Sequence, residues 1–122
     1  MNIFVDDLRK CPEGYMLFRT AEDFLSFLED SINVEINILT LDHDLGVNVM
    51  DGYELTKNLY YHFPNIHIEE IRFHTDNFTG FRNMYLYMKN ALENKAFSNL
   101  KKVSPYQYDV IDGEIIRGLK FT

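Results

Sequence analysis

Hydrophobic and polar positions along the chain fall into blocks that predict strands and helices in turn. Short apolar runs predict four strands, at 2–5, 16–20, 35–41 and 68–74. Apolar residues recur at helical spacing in three stretches that follow these runs, from Phe24 to Leu28, from Leu55 to Leu59 and from Phe81 to Leu92. Strands that alternate with helices predict an α/β domain with a mostly parallel sheet and helices on its faces.

Capping and turn residues mark the limits of these elements. We expect Thr20, Asp51 and Thr79 to cap the three helices, because their side-chain oxygens accept hydrogen bonds from the first turn. Pro64 ends the second helix. In the C-terminal segment VIDGEII, the pair Asp112-Gly113 predicts the turn of a β-hairpin.

Charge divides the chain into two parts. Acidic residues outnumber basic ones by nine over 1–94, whereas basic residues exceed acidic ones by two over 95–122. We therefore expect 1–94 to form the α/β domain, and 95–122 to be an extension whose hairpin packs on the same domain. An exposed hairpin edge also recruits copies of itself, so both a monomer and a homodimer remain open.

Composition narrows the class of protein. A chain of 122 residues with 46% hydrophobic residues suits one small domain with a packed core. A net charge of −7 argues against binding to duplex DNA, which needs a basic face. The single cysteine, Cys11, excludes an internal disulfide and indicates a reducing, cytoplasmic compartment. No apolar run approaches the roughly 18 residues of a membrane span.

Polar clusters follow three of the predicted strands at the point where each ends. They are Asp6-Asp7, Asp42-His43-Asp44 and His74-Thr75-Asp76-Asn77. Parallel strands end at the same edge of a sheet, where ligands of open α/β sheets bind. The three clusters are therefore predicted to converge.

The residue types at this edge suit phosphate chemistry assisted by a metal. Carboxylates held close together repel each other, and a divalent cation relieves the repulsion, so we expect Asp6, Asp7 and Asp42 to hold Mg²⁺ or Mn²⁺. A free imidazole exchanges protons near neutral pH, so His43 and His74 are candidates for proton transfer, although His43 fits a loop-fixing role equally well. Candidates for binding phosphate oxygens are Thr75, Arg9, Arg19, Asn77 and Asn83, of which the two asparagines also fit a role as loop and helix-start fasteners.

Two known families share parts of this pattern. The acidic pair after the first strand, Asp42 after the central strand and Thr75 after the next resemble the receiver domains of two-component signalling, although the lysine that ends a receiver's fifth strand has no clear equivalent here. The chain more closely resembles the cyclic-phosphate processing receiver-like domains. Five segments carry that resemblance in the expected order: FVDDLR (4–9), RTAED (19–23), LDHDLG (41–46), GYE (52–54) and HTDNFTGFRNM (74–84).

The resemblance implies a receiver-like (flavodoxin-like) three-layer sandwich that hydrolyses cyclic phosphates with a bound metal. The implied substrates are small cyclic-phosphate nucleotides or the 2′,3′-cyclic phosphate at an RNA 3′ end. By position, Asp6, Asp7 and Asp42 correspond to metal ligands, and His43, His74 and Thr75 to active-site residues. Two other classes remain open, a phosphoacceptor or degenerate receiver that signals through partners and a non-catalytic nucleotide-binding protein.

Overall fold

The computed structural model describes residues 1–31, 33–105, 108–111 and 114–117. Five strands form one sheet: β1 Asn2–Val5, β2 Tyr15–Phe18, β3 Glu35–Leu41, β4 His67–Phe73 and β5 Lys102–Ser104. The helices in the described part of the chain are α1 Ala21–Asp30, α2 Gly52–His62 and α3 Phe78–Glu93. None of these helices is long and apolar enough to cross a membrane.

The sheet is parallel throughout, with the strand order β2-β1-β3-β4-β5. The chain leaves β1 to form β2 on one side and then returns to form β3 on the other, so the order reverses between β1 and β3. In open parallel sheets, this reversal opens a crevice at the carboxyl ends of the strands. The predicted receiver-like α/β fold is confirmed, and its sheet places the strand-end clusters at this crevice.

Apolar side chains from the strands and from the helix stripes form a single core. Fully buried residues of the sheet include Ile3, Ile36, Leu39, Ile68, Ile71 and Phe73. Those of the helices include Phe24, Leu55, Leu59, Phe81, Met84 and Met88, which are positions of the three predicted apolar stripes. Burial of the stripes fixes how each helix lies against the sheet, and thereby where each helix start meets a strand end.

The fifth strand of the sheet lies in the segment that the sequence assigned to the extension. β5 pairs in parallel with β4, and Val103 is its buried apolar side chain. Beyond it, β6 Tyr108–Ile111 and β7 Glu114–Arg117 pair antiparallel. The predicted turn residues Asp112 and Gly113 lie outside the described residues, so the hairpin and its packing on the domain stay predictions.

Side-chain caps begin all three described helices. The Thr20 hydroxyl accepts from the Asp23 amide at 3.0 Å, and the Asp51 carboxylate accepts from the Glu54 amide at 2.8 Å, as predicted. The prediction that Thr79 caps α3 is wrong. Asn77 is the cap, and its Oδ1 accepts from the amide of Gly80 at 2.8 Å.

Thr79 lies inside the first turn of α3 and is exposed. We therefore expect Asn77→Ala to lower the free energy of unfolding by about 1 kcal/mol, the usual effect of losing an N-cap. Thr79→Ala, which removes an exposed hydroxyl, is expected to change it by less than about 0.5 kcal/mol. Urea denaturation of both variants measures the difference, and a larger loss for Thr79→Ala would contradict the assignment.

Candidate functional site

Three carboxylates from two strand ends meet at the crevice. The Asp42 amide donates to Val5 O at 3.0 Å, which holds the end of β3 beside the end of β1. Asp6, Asp7 and Asp42 each offer a carboxylate oxygen, and these oxygens all lie within 4.8 Å of one another. Asp6 and Asp42 are buried and Asp7 is half-buried. The convergence expected from the sequence is therefore present in the structure.

A cleft of about 360 Å³ opens over these carboxylates. Its lining residues are Asp6, Asp7, Leu8, Arg9, Asp42, Asp44, Thr75 and Asp76. A larger cavity of about 550 Å³ lies at the opposite, amino end of β3 and β4, and Glu35 is the one acidic residue among those described as lining it. We place the candidate site in the smaller cleft because the ionisable groups converge there.

Asp6 is the most heavily hydrogen-bonded of the three carboxylates. Its Oδ1 accepts from the amides of Leu8 at 2.9 Å and Arg9 at 2.8 Å. Its Oδ2 accepts from Arg9 Nη1 and from His74 Nε2, both at 2.9 Å. Burial by itself would raise the pKa of Asp6, but the hydrogen bonds from the Arg9 and Leu8 amides and from the Arg9 side chain outweigh it, so the pKa is lowered. Asp6 is therefore a fixed, ionised group.

Asp42 has the opposite electrostatic character. Its Oδ1 accepts from the His43 amide at 2.7 Å, its Oδ2 accepts from Arg9 Nη1 at 3.1 Å, and the Thr75 hydroxyl also donates to it. Burial and the nearby charge of Asp6 raise the pKa of Asp42 in spite of these bonds. Ionised Asp42 is therefore unfavourable in these surroundings, and a cation bound beside it would offset the effect of burial.

The Arg9 side chain reaches three carboxylates. Its Nη1 lies between Asp6 and Asp42, and its Nη2 is 3.3 Å from Asp76 Oδ2. The sequence suggested Arg9 as a phosphate ligand, and that role stays a prediction. In the structure this guanidinium contacts acidic side chains.

The other suggested phosphate ligands have different surroundings. Arg19 Nη1 donates to the backbone oxygens of Asp6 at 3.3 Å and Arg9 at 2.8 Å, which fixes the loop after β1. Asn77 caps α3, and Asn83 lies in the second turn of that helix, so neither is among the residues that line the cleft. Their contacts with phosphate stay predictions.

Thr75 and Asp7 do line the cleft. The Thr75 side chain is buried and bonded to Asp42, and its Oγ1 also accepts from the Asn77 amide at 3.2 Å. This hydroxyl therefore ties the end of β4 to the carboxylate at the end of β3. Asp7 presents the least buried of the three clustered carboxylates to the cleft.

His74 lies behind Asp6, and both of its ring nitrogens are engaged. The ring is buried and stacks on Phe4, with 4.3 Å between centroids and 8° between planes. Its Nδ1 is 2.7 Å from Thr40 Oγ1, and its Nε2 is 2.9 Å from Asp6 Oδ2. Burial, helped by the charge of Arg9, lowers the pKa of His74 to about 4 although Asp6 opposes the shift. A neutral ring that donates from Nε2 to Asp6 and accepts at Nδ1 from Thr40 satisfies both bonds.

The pKa of His74 predicts that acid destabilises the fold. The unfolded chain binds the imidazole proton with a pKa of 6.5, but the folded chain holds the ring neutral down to a pKa of about 4. Between these values the unfolded state binds more protons, so the free energy of unfolding falls as the pH drops. When the pH is lowered from about 7 to about 5, we expect the free energy of unfolding of His74→Asn to fall by about 2 kcal/mol less than that of the wild type.

Urea denaturation at the two pH values measures this difference. The raised pKa of Asp42 acts in the opposite direction, but Asp42 is present in both proteins, so the comparison isolates the imidazole. Equal pH dependence in the two proteins would contradict a buried neutral His74.

His43 joins the strand end to the starts of two helices. Its ring packs so closely on α3 that a Cβ at Gly80 would lie 2.4 to 2.7 Å from ring atoms. Its Nδ1 is 2.9 Å from Asp44 Oδ1 and 3.3 Å from Asn77 Nδ2, and its Nε2 is 3.8 Å from Asp51 Oδ2. His43 thus contacts the caps of α2 and α3. His43 is not among the residues that line the cleft, whereas its partner Asp44 is. The role of His43 in proton transfer stays a prediction.

The loop after Asp44 has few ties to the rest of the site. Val47 is 88% exposed, and Gly46 and Asn48 have the positive φ angles of 122° and 59°. The Met50 amide donates to Glu22 Oε1 at 3.2 Å, which fastens the far end of the loop to α1. The loop therefore follows a residue of the cleft, Asp44, without supporting the carboxylates.

Four residues of this site were not singled out from the sequence. They are Phe4, Leu8, Thr40 and Asp76. Thr40 carried a signal, a hydroxyl inside an apolar strand, and Asp76 belonged to a cluster that was noted. Nothing in the local sequence indicates that Phe4 stacks on a histidine from another strand.

Three comparisons with known proteins bear on this site. Neither the comparison with curated proteins nor the comparison with solved structures found a match. The model of one family, described as the cyclic-phosphate processing receiver domain, matches residues 1–90. These residues span β1 to most of α3 and include every side chain named at the cleft. The chain therefore belongs to the family of cyclic-phosphate processing receiver domains.

Proposed function

We propose that the chain is a metal-dependent hydrolase of cyclic phosphates, acting on cyclic nucleotides or on RNA ends that carry a 2′,3′-cyclic phosphate. The observation that carries the proposal is the cluster of Asp6, Asp7 and Asp42, whose carboxylate oxygens lie within 4.8 Å of one another beneath an open cleft. Membership of a family associated with cyclic-phosphate processing supports the substrate class.

The donor set fits a hard divalent cation. All three groups are carboxylates, which suits Mg²⁺ or Mn²⁺ better than softer metals. Asp6, Asp7 and Asp42 would hold the ion. When bound, it would supply charge neutralisation at the phosphate oxygens and lower the pKa of a water molecule. Without such a cation, the acidic cleft would repel a phosphodiester anion.

The residues around the carboxylates have separable roles in this proposal. His74 orients Asp6, because its Nε2 donates to Oδ2 while Thr40 fixes the opposite ring nitrogen. Thr75 orients the Asp42 carboxylate through the hydrogen bond from its hydroxyl. We assign both to positioning.

Proton transfer is assigned to the pair of His43 and Asp44. The Asp44 carboxylate is 70% exposed, lines the cleft and lies 2.9 Å from His43 Nδ1. An imidazole hydrogen-bonded to an exposed carboxylate suits proton transfer to or from a ribose oxygen. Hydrolysis adds water to phosphorus and breaks one P–O bond of the ring, so the departing oxygen receives a proton. The ring strain of a five-membered cyclic phosphate favours the 2′,3′-cyclic substrates.

A substrate screen tests the proposal. Purified protein is incubated with 2′,3′-cyclic nucleotides, 3′,5′-cyclic nucleotides and an oligonucleotide that ends in a 2′,3′-cyclic phosphate, each with Mg²⁺, with Mn²⁺ and with chelator. We expect phosphomonoester product from at least one substrate, detected by ³¹P NMR, and none in chelator. Absence of product from every substrate in both metals would contradict hydrolase activity.

The same protein preparation separates the two other function classes. Hydroxylamine-sensitive phosphate on Asp42 after treatment with acetyl phosphate would favour a phosphoacceptor. One feature argues against a phosphoacceptor receiver. In the described part of the chain, β5 ends at Ser104 and is followed by Pro105, where a receiver would have lysine. Saturable nucleotide binding without product over hours would favour a non-catalytic binder.

A further inference from the structure

We infer that the guanidinium of Arg9 is an internal counter-ion that lies between Asp6 and Asp42 and competes with a divalent ion for this position, so that it must leave before the ion binds there. The inference rests on the metal site of the proposed function. It assigns Arg9 a role in gating that site, separate from any contact with phosphate.

The first support is the position of one nitrogen atom. Arg9 Nη1 is 2.9 Å from Asp6 Oδ2 and 3.1 Å from Asp42 Oδ2, so it occupies the space between the two buried carboxylates. A divalent ion held by these same two oxygens would need the space that Nη1 fills. A guanidinium nitrogen and a metal ion cannot occupy this gap together, so the two cations compete for it.

The second support is electrostatic. Two ionised carboxylates buried side by side require positive charge nearby, because removing a carboxylate from water without a partner is strongly unfavourable. Among the described residues, Arg9 forms the ion pairs with both Asp6 and Asp42. A divalent ion would replace its single charge with two, and this difference would drive the exchange.

The third support is that the side chain has a way out while its backbone is held. The side chain is 40% exposed, and its Nη2 already contacts Asp76, a carboxylate that is 70% exposed at the cleft rim. The Arg9 amide donates to Asp6 Oδ1 at 2.8 Å, and the Arg9 carbonyl accepts from Arg19 Nη1 at 2.8 Å. Rotation of the Arg9 side chain toward Asp76 therefore frees the gap without moving the loop that carries Asp6.

Metal binding in the absence of substrate tests the inference. Titration calorimetry with Mn²⁺ and Mg²⁺ is expected to give about tenfold tighter binding for Arg9→Ala than for the wild type, which equals about 1.4 kcal/mol. The matched control is Lys10→Ala, which removes the same charge from the next, exposed residue and leaves the gap filled. Its affinity is expected to stay within about twofold of the wild type.

Thermal unfolding supplies a second readout. Without metal, Arg9→Ala is expected to unfold at a lower temperature than the wild type. Saturating Mg²⁺ is expected to raise the unfolding temperature of Arg9→Ala by more than it raises that of the wild type. Arg9→Gln keeps most of the length of the side chain without its charge, and it replaces the alanine variant if that variant does not fold.

The outcomes separate this inference from the proposed function. Equal or weaker metal binding by the Arg9 variants would overturn the inference, even if the wild type hydrolyses a cyclic phosphate. Absence of metal binding by every protein would also overturn it. Tighter binding by the variants would support it, even if the substrate screen yields no product.

Discussion

Replacing Asp42 with asparagine is expected to reduce metal-dependent turnover by about 10³-fold, equal to about 4 kcal/mol of lost transition-state stabilisation. Asparagine keeps the shape of the side chain and an oxygen that accepts from the His43 amide. It removes the negative charge that the proposed metal ion would contact. The effect is measured as kcat/KM at saturating Mg²⁺, on the substrate that the screen identifies.

The same variant carries an unusual expectation for stability. The raised pKa of Asp42 means that ionising this carboxylate in the fold is unfavourable relative to the unfolded chain. In chelator at neutral pH, Asp42→Asn is therefore expected to be at least as stable as the wild type. Asp30→Asn, at the exposed end of α1, is the matched control and is expected to keep full activity. Full activity of Asp42→Asn would contradict the proposed metal ligand.

The second large effect is expected from Gly52→Ala at the start of α2. A Cβ at this position would lie 2.1 Å from the Asp42 carbonyl oxygen and 2.9 Å from His43 Cα, both of which are backbone atoms. The Gly52 amide also donates to His43 O at 2.8 Å, so helix and strand end cannot separate without losing that bond. We expect the free energy of unfolding to fall by about 3 kcal/mol.

Glu54→Ala is the control for this substitution. It places alanine in the same turn of α2 but on its exposed side, and its expected effect is below about 1 kcal/mol. Urea denaturation compares the two variants, and Mn²⁺ titration of folded Gly52→Ala shows whether the displaced strand end still presents Asp42. If Gly52→Ala is as stable as Glu54→Ala, the close approach of α2 to the end of β3 is not required for folding.

Strong periodic signals explain why most of the sheet was predictable. β3 spans the residues expected from the apolar run at 35–41, and α1 begins after Thr20 as its capping pattern indicated. β5 escaped prediction because it has three residues, with Lys102 exposed at its start and Val103 as its buried apolar side chain. Such a short strand forms because its backbone pairs with the edge of β4, which is distant from β5 in the sequence.

Thr79 is the cap of α3 predicted from the sequence, and the local sequence contains no signal against that choice. Asn77 and Thr79 are both good N-caps, and the first turn fits either. The structure favours Asn77, whose Nδ2 lies 3.4 Å from Asp44 Oδ1 and near His43. Contacts from another strand end thus decide where the helix begins.

At the site, the sequence indicated which side chains converge better than it indicated how they pair. Parallel strands oblige Asp6, Asp42 and His74 to end at one edge, so their proximity followed from the fold class. The pairing of Arg9 with two carboxylates, and of His74 with Thr40, depends on side-chain directions that a periodicity argument does not contain. Because of these pairings, we interpret Arg9 as a counter-ion of the carboxylates and His74 as a positioning residue.

The segment from Gly46 to Met50 is joined to the rest of the domain mainly at its ends, whereas the carboxylates are fixed by strand ends and helix caps. Its exposed residues can therefore be exchanged while the carboxylates stay in place. Grafting experiments on this segment would show whether it influences access to the cleft without any change in the groups that line it.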